Sequence, residues 1–107
     1  MKRKPPKEQI ARQLEKLVTS IKELDPEKII LFGSMARGDY TALSDIDVVV
    51  VMQSDKDFFA RTFEVMRHCN TDIPLDLLVY TPQEFQSMIE HQNPFICKIL
   101  KEGKMYE

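Results

Sequence analysis

Asp45-Ile46-Asp47-Val48-Val49-Val50-Val51-Met52 is an apolar run opened by two acids one residue apart, and its branched residues read as an interior strand. A carboxylate in such a place is costly unless something positive compensates it. Alternate residues of a strand point the same way, about 7 Å apart along the chain. Asp45 and Asp47 are therefore expected side by side on one face. A second strand-like run, Ile73-Pro74-Leu75-Asp76-Leu77-Leu78-Val79-Tyr80, carries a third carboxylate. Upstream lies a glycine-serine turn within Leu31-Phe32-Gly33-Ser34-Met35-Ala36-Arg37-Gly38.

The intervening segments say how these pieces connect. Phe58, Phe59, Phe63, Val65 and Met66 fit a helix between Asp57 and His68. A crossover of that size joins parallel strands, so the second and third strands are read as parallel neighbours. Pro74 places the start of the third strand at an edge or an irregularity. Ile10, Leu14, Leu17, Val18 and Ile21 form one stripe of a helix over residues 7 to 23, entered through Pro5-Pro6 and ended by Asp25-Pro26. Lys28 to Phe32 is a first strand, with a brief helix through Met35, Ala36 and Arg37 after the turn. Thr81-Pro82-Gln83-Glu84 caps a helix to about His91. Asn93-Pro94 breaks it, a further helix runs from Phe95 to Lys101, and Gly103 leads to a short edge strand at Met105-Tyr106.

With 107 residues, 43% apolar and 30% charged, the chain has the composition of one ordinary globular domain, 1–107, with residues 1–6 expected as a flexible basic tail. Fifteen basic against 17 acidic residues give a formal charge of -2, which disfavours direct nucleic-acid binding. No apolar stretch approaches the roughly 18 residues of a membrane span, and a cytoplasmic setting is expected. Cys69 and Cys97 lack metal-ligand spacing and read as a reduced, partly buried pair, a disulfide staying possible. His68 and His91 form no zinc signature with them and read as surface or helix-end residues.

Asp45 and Asp47 alone could be ordinary strand-start residues; Asp76 shifts the balance. Three carboxylates on a low-dielectric surface repel one another unless protonated or bridged by cations. Magnesium prefers oxygen ligands and keeps water and substrate phosphates in its shell. In two-metal phosphoryl-transfer sites the ions sit about 3.5–4 Å apart. Asp45 and Asp47 are assigned to both ions, and Asp76 to the ion beside the nucleophile, whose proton it could accept. Gly33 allows close backbone approach, and Ser34 can cap the following helix or donate to a β- or γ-phosphate. Arg37 can steady phosphate or an acidic neighbour, and Ser44 can shape the loop before the acids or touch the ligand. The P-loop pattern is missing. A metal-binding regulatory domain would explain the acids but leave the Gly33-Ser34 turn unused.

Gly33-Ser34, ten intervening residues (35 to 44), Asp45-Ile46-Asp47 and then Asp76 resemble the signature of the minimal nucleotidyltransferases of the polymerase-beta superfamily. The ending Leu100-Lys101-Glu102-Gly103-Lys104-Met105-Tyr106-Glu107 looks like that family too, and the likeness covers nearly all of the chain from about Ile10. The resemblance implies an α/β (α+β) fold, a small mixed sheet with helices packed on it and the site at one end. It implies magnesium-dependent transfer of a nucleoside monophosphate, AMP from ATP being the family's choice, to a hydroxyl. Larger relatives carry further domains for the acceptor, and no room for one is seen here. The resemblance therefore implies a small helical HEPN-type toxin as partner, one of its tyrosines as acceptor, and an antitoxin role. A non-catalytic antitoxin that covers its partner is the alternative. The last helices could offer that interface, although their apolar members read more simply as core, and a homo-oligomer is a further expectation.

Overall fold

A computed structural model describes residues 6–106, and the basic opening at residues 1–5 lies outside them. The chain runs α1 (Lys7–Lys22), β1 (Lys28–Phe32), α2 (Gly33–Arg37), β2 (Ile46–Val51), α3 (Phe58–His68), β3 (Leu75–Tyr80), α4 (Pro82–Glu90), α5 (Pro94–Glu102), β4 (Lys104–Tyr106). The four strands form one mixed sheet in the order β3-β2-β1-β4. β2 and β3 are parallel, as the α3 crossover demands, whereas β1 pairs antiparallel with both β2 and β4. β3 and β4 are the edges, which explains why Pro74 is tolerated beside β3. Asp45 lies one residue before β2, not within it.

β2 is an apolar run because both of its faces are covered. Ile46, Val48 and Val50 join the core under α1, with Leu17, Ile21, Val65, Leu77 and Val79. Val49 and Val51 face the other way, with Ile30, Phe85, Ile96 and Ile99 under α4 and α5. α1 starts at Pro6 with no side-chain cap, so packing holds it. Its buried Ile10, Leu17, Val18 and Ile21 each contribute about 1.5–3 kcal/mol, against roughly 1 kcal/mol for a cap. α4 is capped as its sequence implies, Thr81 and Glu84 bonding reciprocally. Asn93, read as a helix breaker, is also the N-cap of α5 and accepts from Phe95 N and Ile96 N.

Gly103 links α5 to β4 in a place no side chain fits. A Cβ there would lie 2.4 Å from the Ile99 carbonyl oxygen and 2.7 Å from Ile30 Cγ2. Its φ of -74° is ordinary, so close approach and not backbone freedom demands glycine. Gly103→Ala is expected to cost about 1–3 kcal/mol of stability, as overpacking does, read as a lower denaturant midpoint.

The sequence-based readings of α3 and of the cysteines are refined by the structure. α3 forms where its apolar periodicity puts it, but Phe59 (71% exposed) and Phe63 (58%) face outward. The buried positions are Val65 and Arg61, only 4% exposed. Arg61 Nε donates to Val79 O at 2.9 Å, Nη1 to Lys56 O at 3.2 Å, and Nη2 pairs with Glu84. Burial alone would raise the Glu84 pKa, but hydrogen bonds from Arg61 and Thr81 outweigh it and the net shift is downward. Of the cysteines read as a partly buried pair, Cys69 is half-buried, with a thiol pKa raised by burial, but Cys97 is exposed. Both are free. His68 ends α3 and meets Glu23 Oε1 at 2.9 Å, and His91 follows the last residue of α4.

Candidate active site

The register of the parallel pair decides where the acids go. Asp47 on β2 stands opposite Asp76 on β3, and Phe32, the last residue of β1, stands opposite Asp47. Parity puts all three on the face that carries Val49, Val51, Leu78 and Ile30. The face therefore shows a row across three strands, Phe32, Asp47, Asp76, at the end where β1 leaves the sheet. Asp47 and Asp76 share a hydrogen bond, and Asp45 lies close enough to act on Asp47 by its charge. The structure thus sets Asp47 and Asp76 side by side, with Asp45 nearby at the start of the strand.

Their proximity has an electrostatic signature. The Asp47 pKa is raised above its ordinary 3.8, first by burial, then by the charges of Asp76 and Asp45 and the hydrogen bond to Asp76; Arg37 pulls it back less strongly. Asp45 and Asp76 remain exposed. The crowding holds a proton more tightly at Asp47, and it would hold a cation at the same point.

Among the described residues no group of three or more His, Cys, Asp or Glu side chains is arranged to hold a metal ion. What exists is a hydrogen-bonded carboxylate pair with a third acid within Coulomb range. That donor set is all oxygen and incomplete. It fits a hard divalent cation that takes its other ligands from water and phosphate, and it does not fit a closed protein cage.

Gly33 turns the chain out of β1 with φ +72°, a conformation other residues rarely adopt, and a Cβ there would lie 2.2 Å from Asp47 Oδ2. The glycine thus serves both the bend and the carboxylate packed against it. α2 begins at Gly33 itself, its N-cap is Phe32, and no side chain caps it. Ser34 is therefore not the cap; its carbonyl accepts from Gly38 N at 2.8 Å. Ser44 shapes the loop before the acids, its Oγ accepting from Thr41 N at 2.8 Å. Arg37 is exposed and pairs with Asp39 at 3.2 Å, while its charge still reaches Asp47.

A recess of about 200 Å³ adjoins this row, between the Gly33 turn and α5. Phe95 and Lys98, which the sequence did not single out, help to wall it. A larger recess, about 520 Å³, lies beside Phe58, Tyr80 and Glu84. Tyr80 is four residues beyond Asp76 on β3, about 13 Å away, so that recess is remote from the acids.

Residues 14–106 match the family described as Nucleotidyltransferase domain. The chain belongs to that family. A crystal structure of a nucleotidyltransferase named as putative, from Sulfolobus solfataricus, is similar with a TM-score of 0.59 and 29% identity, over 75% of this chain and 77% of that one. Two proteins of Methanocaldococcus jannaschii, each named "Putative protein adenylyltransferase", are 62% identical over 32 residues and 38% identical over 45. Those stretches cover 30% and 42% of this chain, and 32% and 46% of the relatives, less than half of either. No helix among the described residues is long and apolar enough to cross a membrane.

Proposed function

We propose that this protein transfers a nucleoside monophosphate, AMP from ATP, to a hydroxyl on a partner protein with magnesium as cofactor. The observation that carries the reading is the register that sets Asp47 beside Asp76, with Asp47 packed against Gly33. Family membership and the names of the two relatives support the reaction and the protein acceptor.

Asp47 and Asp76, with Asp45 within range of Asp47, would hold the magnesium, which would supply neutralisation of phosphate charge and a lower pKa for the attacking hydroxyl. The backbone of Gly33 and Ser34 receives phosphate oxygens. Asp76, on the exposed edge strand, faces the acceptor and takes its proton. The acceptor oxygen bonds to the α-phosphorus, the bond from that phosphorus to the bridging oxygen breaks, and pyrophosphate leaves with the electron pair. A tyrosine of a HEPN-type toxin in the cytoplasm is the acceptor this reading favours, which makes the protein an antitoxin.

One observation favours neutralisation by covering instead: Phe59 and Phe63 lie exposed one turn apart on α3. The two readings separate in one experiment. The protein, its genomic-neighbour protein and magnesium are incubated with each labelled nucleoside triphosphate in turn. Transfer predicts that ATP adds one nucleoside monophosphate to a partner tyrosine, seen by intact mass and peptide sequencing. An unmodified partner under all four nucleotides, still neutralised by an Asp45→Asn, Asp47→Asn double variant, would overturn transfer in favour of covering.

A further inference from the structure

The recess beside the Gly33 turn is where α5 reaches the glycine against which Asp47 packs. Its walls include Phe32, Gly33, Arg37, Phe95, Lys98 and Glu102. α5 is fixed there by Ile96 and Ile99, both buried under the sheet, and by Phe95, whose ring meets Phe32 edge-on at 5.6 Å and 87°. Lys98 therefore projects from an anchored helix. It is exposed and makes no ion pair within the described residues, and neither does Glu102 one turn later. The recess's other cation, Arg37, is engaged by Asp39 at 3.2 Å.

The row across the strands gives this recess a direction. Asp76 is on β3, Asp47 in the middle on β2, and Phe32 with the Gly33 turn on the β1 side. In-line displacement needs the attacking and leaving oxygens on opposite sides of the phosphorus. With an acceptor at the β3 edge, the leaving group departs toward β1 and α5, into this recess.

We infer that Lys98 binds the β- and γ-phosphates of the nucleoside triphosphate and stabilises the departing pyrophosphate. The inference rests on the transfer reading and names its leaving-group site. Negative charge grows on the bridging oxygen as its bond to the α-phosphorus breaks. An ammonium held at that place stabilises the transition state more than the bound substrate. Lys98 acts through its positive charge and transfers nothing. The aromatic wall of Phe32 and Phe95 restricts water on one side, which strengthens the ion pair.

The test uses the full chain with magnesium and compares ATP, AMP and inorganic pyrophosphate. Lys98→Ala is expected to weaken ATP and pyrophosphate binding about tenfold, the loss of one charge-assisted hydrogen bond, and to leave AMP binding unchanged. kcat for transfer falls as well, and Lys98→Arg restores most of both. Lys98 is exposed, so circular dichroism of the variant should match wild type. Equal loss for ATP and AMP would overturn the phosphate assignment, as would unchanged ATP binding in a Lys98→Ala protein. If wild type transfers and Asp47→Asn does not, either result counts against Lys98 alone. A wild-type protein that binds no triphosphate overturns the transfer reading, and this inference with it.

Discussion

Asparagine in place of Asp47 is expected to lower nucleotidyl transfer by ~10³-fold or more while making the magnesium-free protein more stable at neutral pH. The first effect follows from removing the carboxylate at the crowded centre of the acidic row, the ligand that the proposed magnesium would take. Lewis-acid stabilisation is worth several kcal/mol, and each 1.36 kcal/mol is about tenfold in rate. The second follows from the raised Asp47 pKa, caused first by burial and then by Asp76 and Asp45. The native state binds that proton more tightly than the unfolded chain does. Stability is therefore lost as pH rises from the ordinary 3.8 through the raised folded value, and the cost is present in full above it. Asparagine carries no charge and escapes that cost. Thermal unfolding in chelator should show the variant melting above wild type at pH 7, with the gap closing below pH 4. Magnesium should raise the wild-type melting temperature and move the variant much less. Undiminished turnover, or a variant less stable than wild type at pH 7, would remove Asp47 from the role given to it.

Gly33→Ala should also lower the proposed transfer, but with the opposite effect on stability. The added methyl would occupy the space of Asp47 Oδ2, 2.2 Å away, so the carboxylate must rotate off Asp76. A displacement of about 1 Å at a reacting centre costs roughly 10²-fold in rate. The backbone at φ +72° adds strain of about 1–2 kcal/mol for any residue with a Cβ. Transfer is therefore expected to fall about 10²-fold and the denaturant midpoint to drop. The contrast with Asp47→Asn is the informative part: two inactive proteins, one stabilised and one destabilised. Normal transfer by Gly33→Ala would mean that Asp47 need not sit where the turn holds it.

The strands and the parallel pair were legible because their signals are local, whereas the mixed sheet came from the resemblance. Val48 to Val51 are apolar at every position, so the strand had to be covered on both faces. The length between it and Asp76 forced a crossover, hence a parallel pair. α3 was harder, since two apolar stripes compete along it and the sequence does not rank them. Phe59 and Phe63 look like core; the fold turns inward the face with Val65 and Arg61. No pattern marks Arg61 as buried, because an arginine on a helix ordinarily reads as solvated. Its burial depends on the nearby Lys56 carbonyl together with the Val79 carbonyl and Glu84, the last two distant in sequence and Glu84 already assigned to a cap. Lys98 escaped notice for a like reason: nothing near it in sequence carries chemistry.

By itself the sequence determined the inventory: three acids on or beside strands, a glycine bend before them, parallel pairing, and a family signature in their spacing. Periodicity and turn chemistry act within a few residues, and that is the range over which they can be read. Only the tertiary structure decided the register that sets Asp76 beside Asp47, since a slip of one residue would have turned Asp76 to the other face. It also brought α5 to the Gly33 turn, because packing between distant segments is settled by the shape of the whole core.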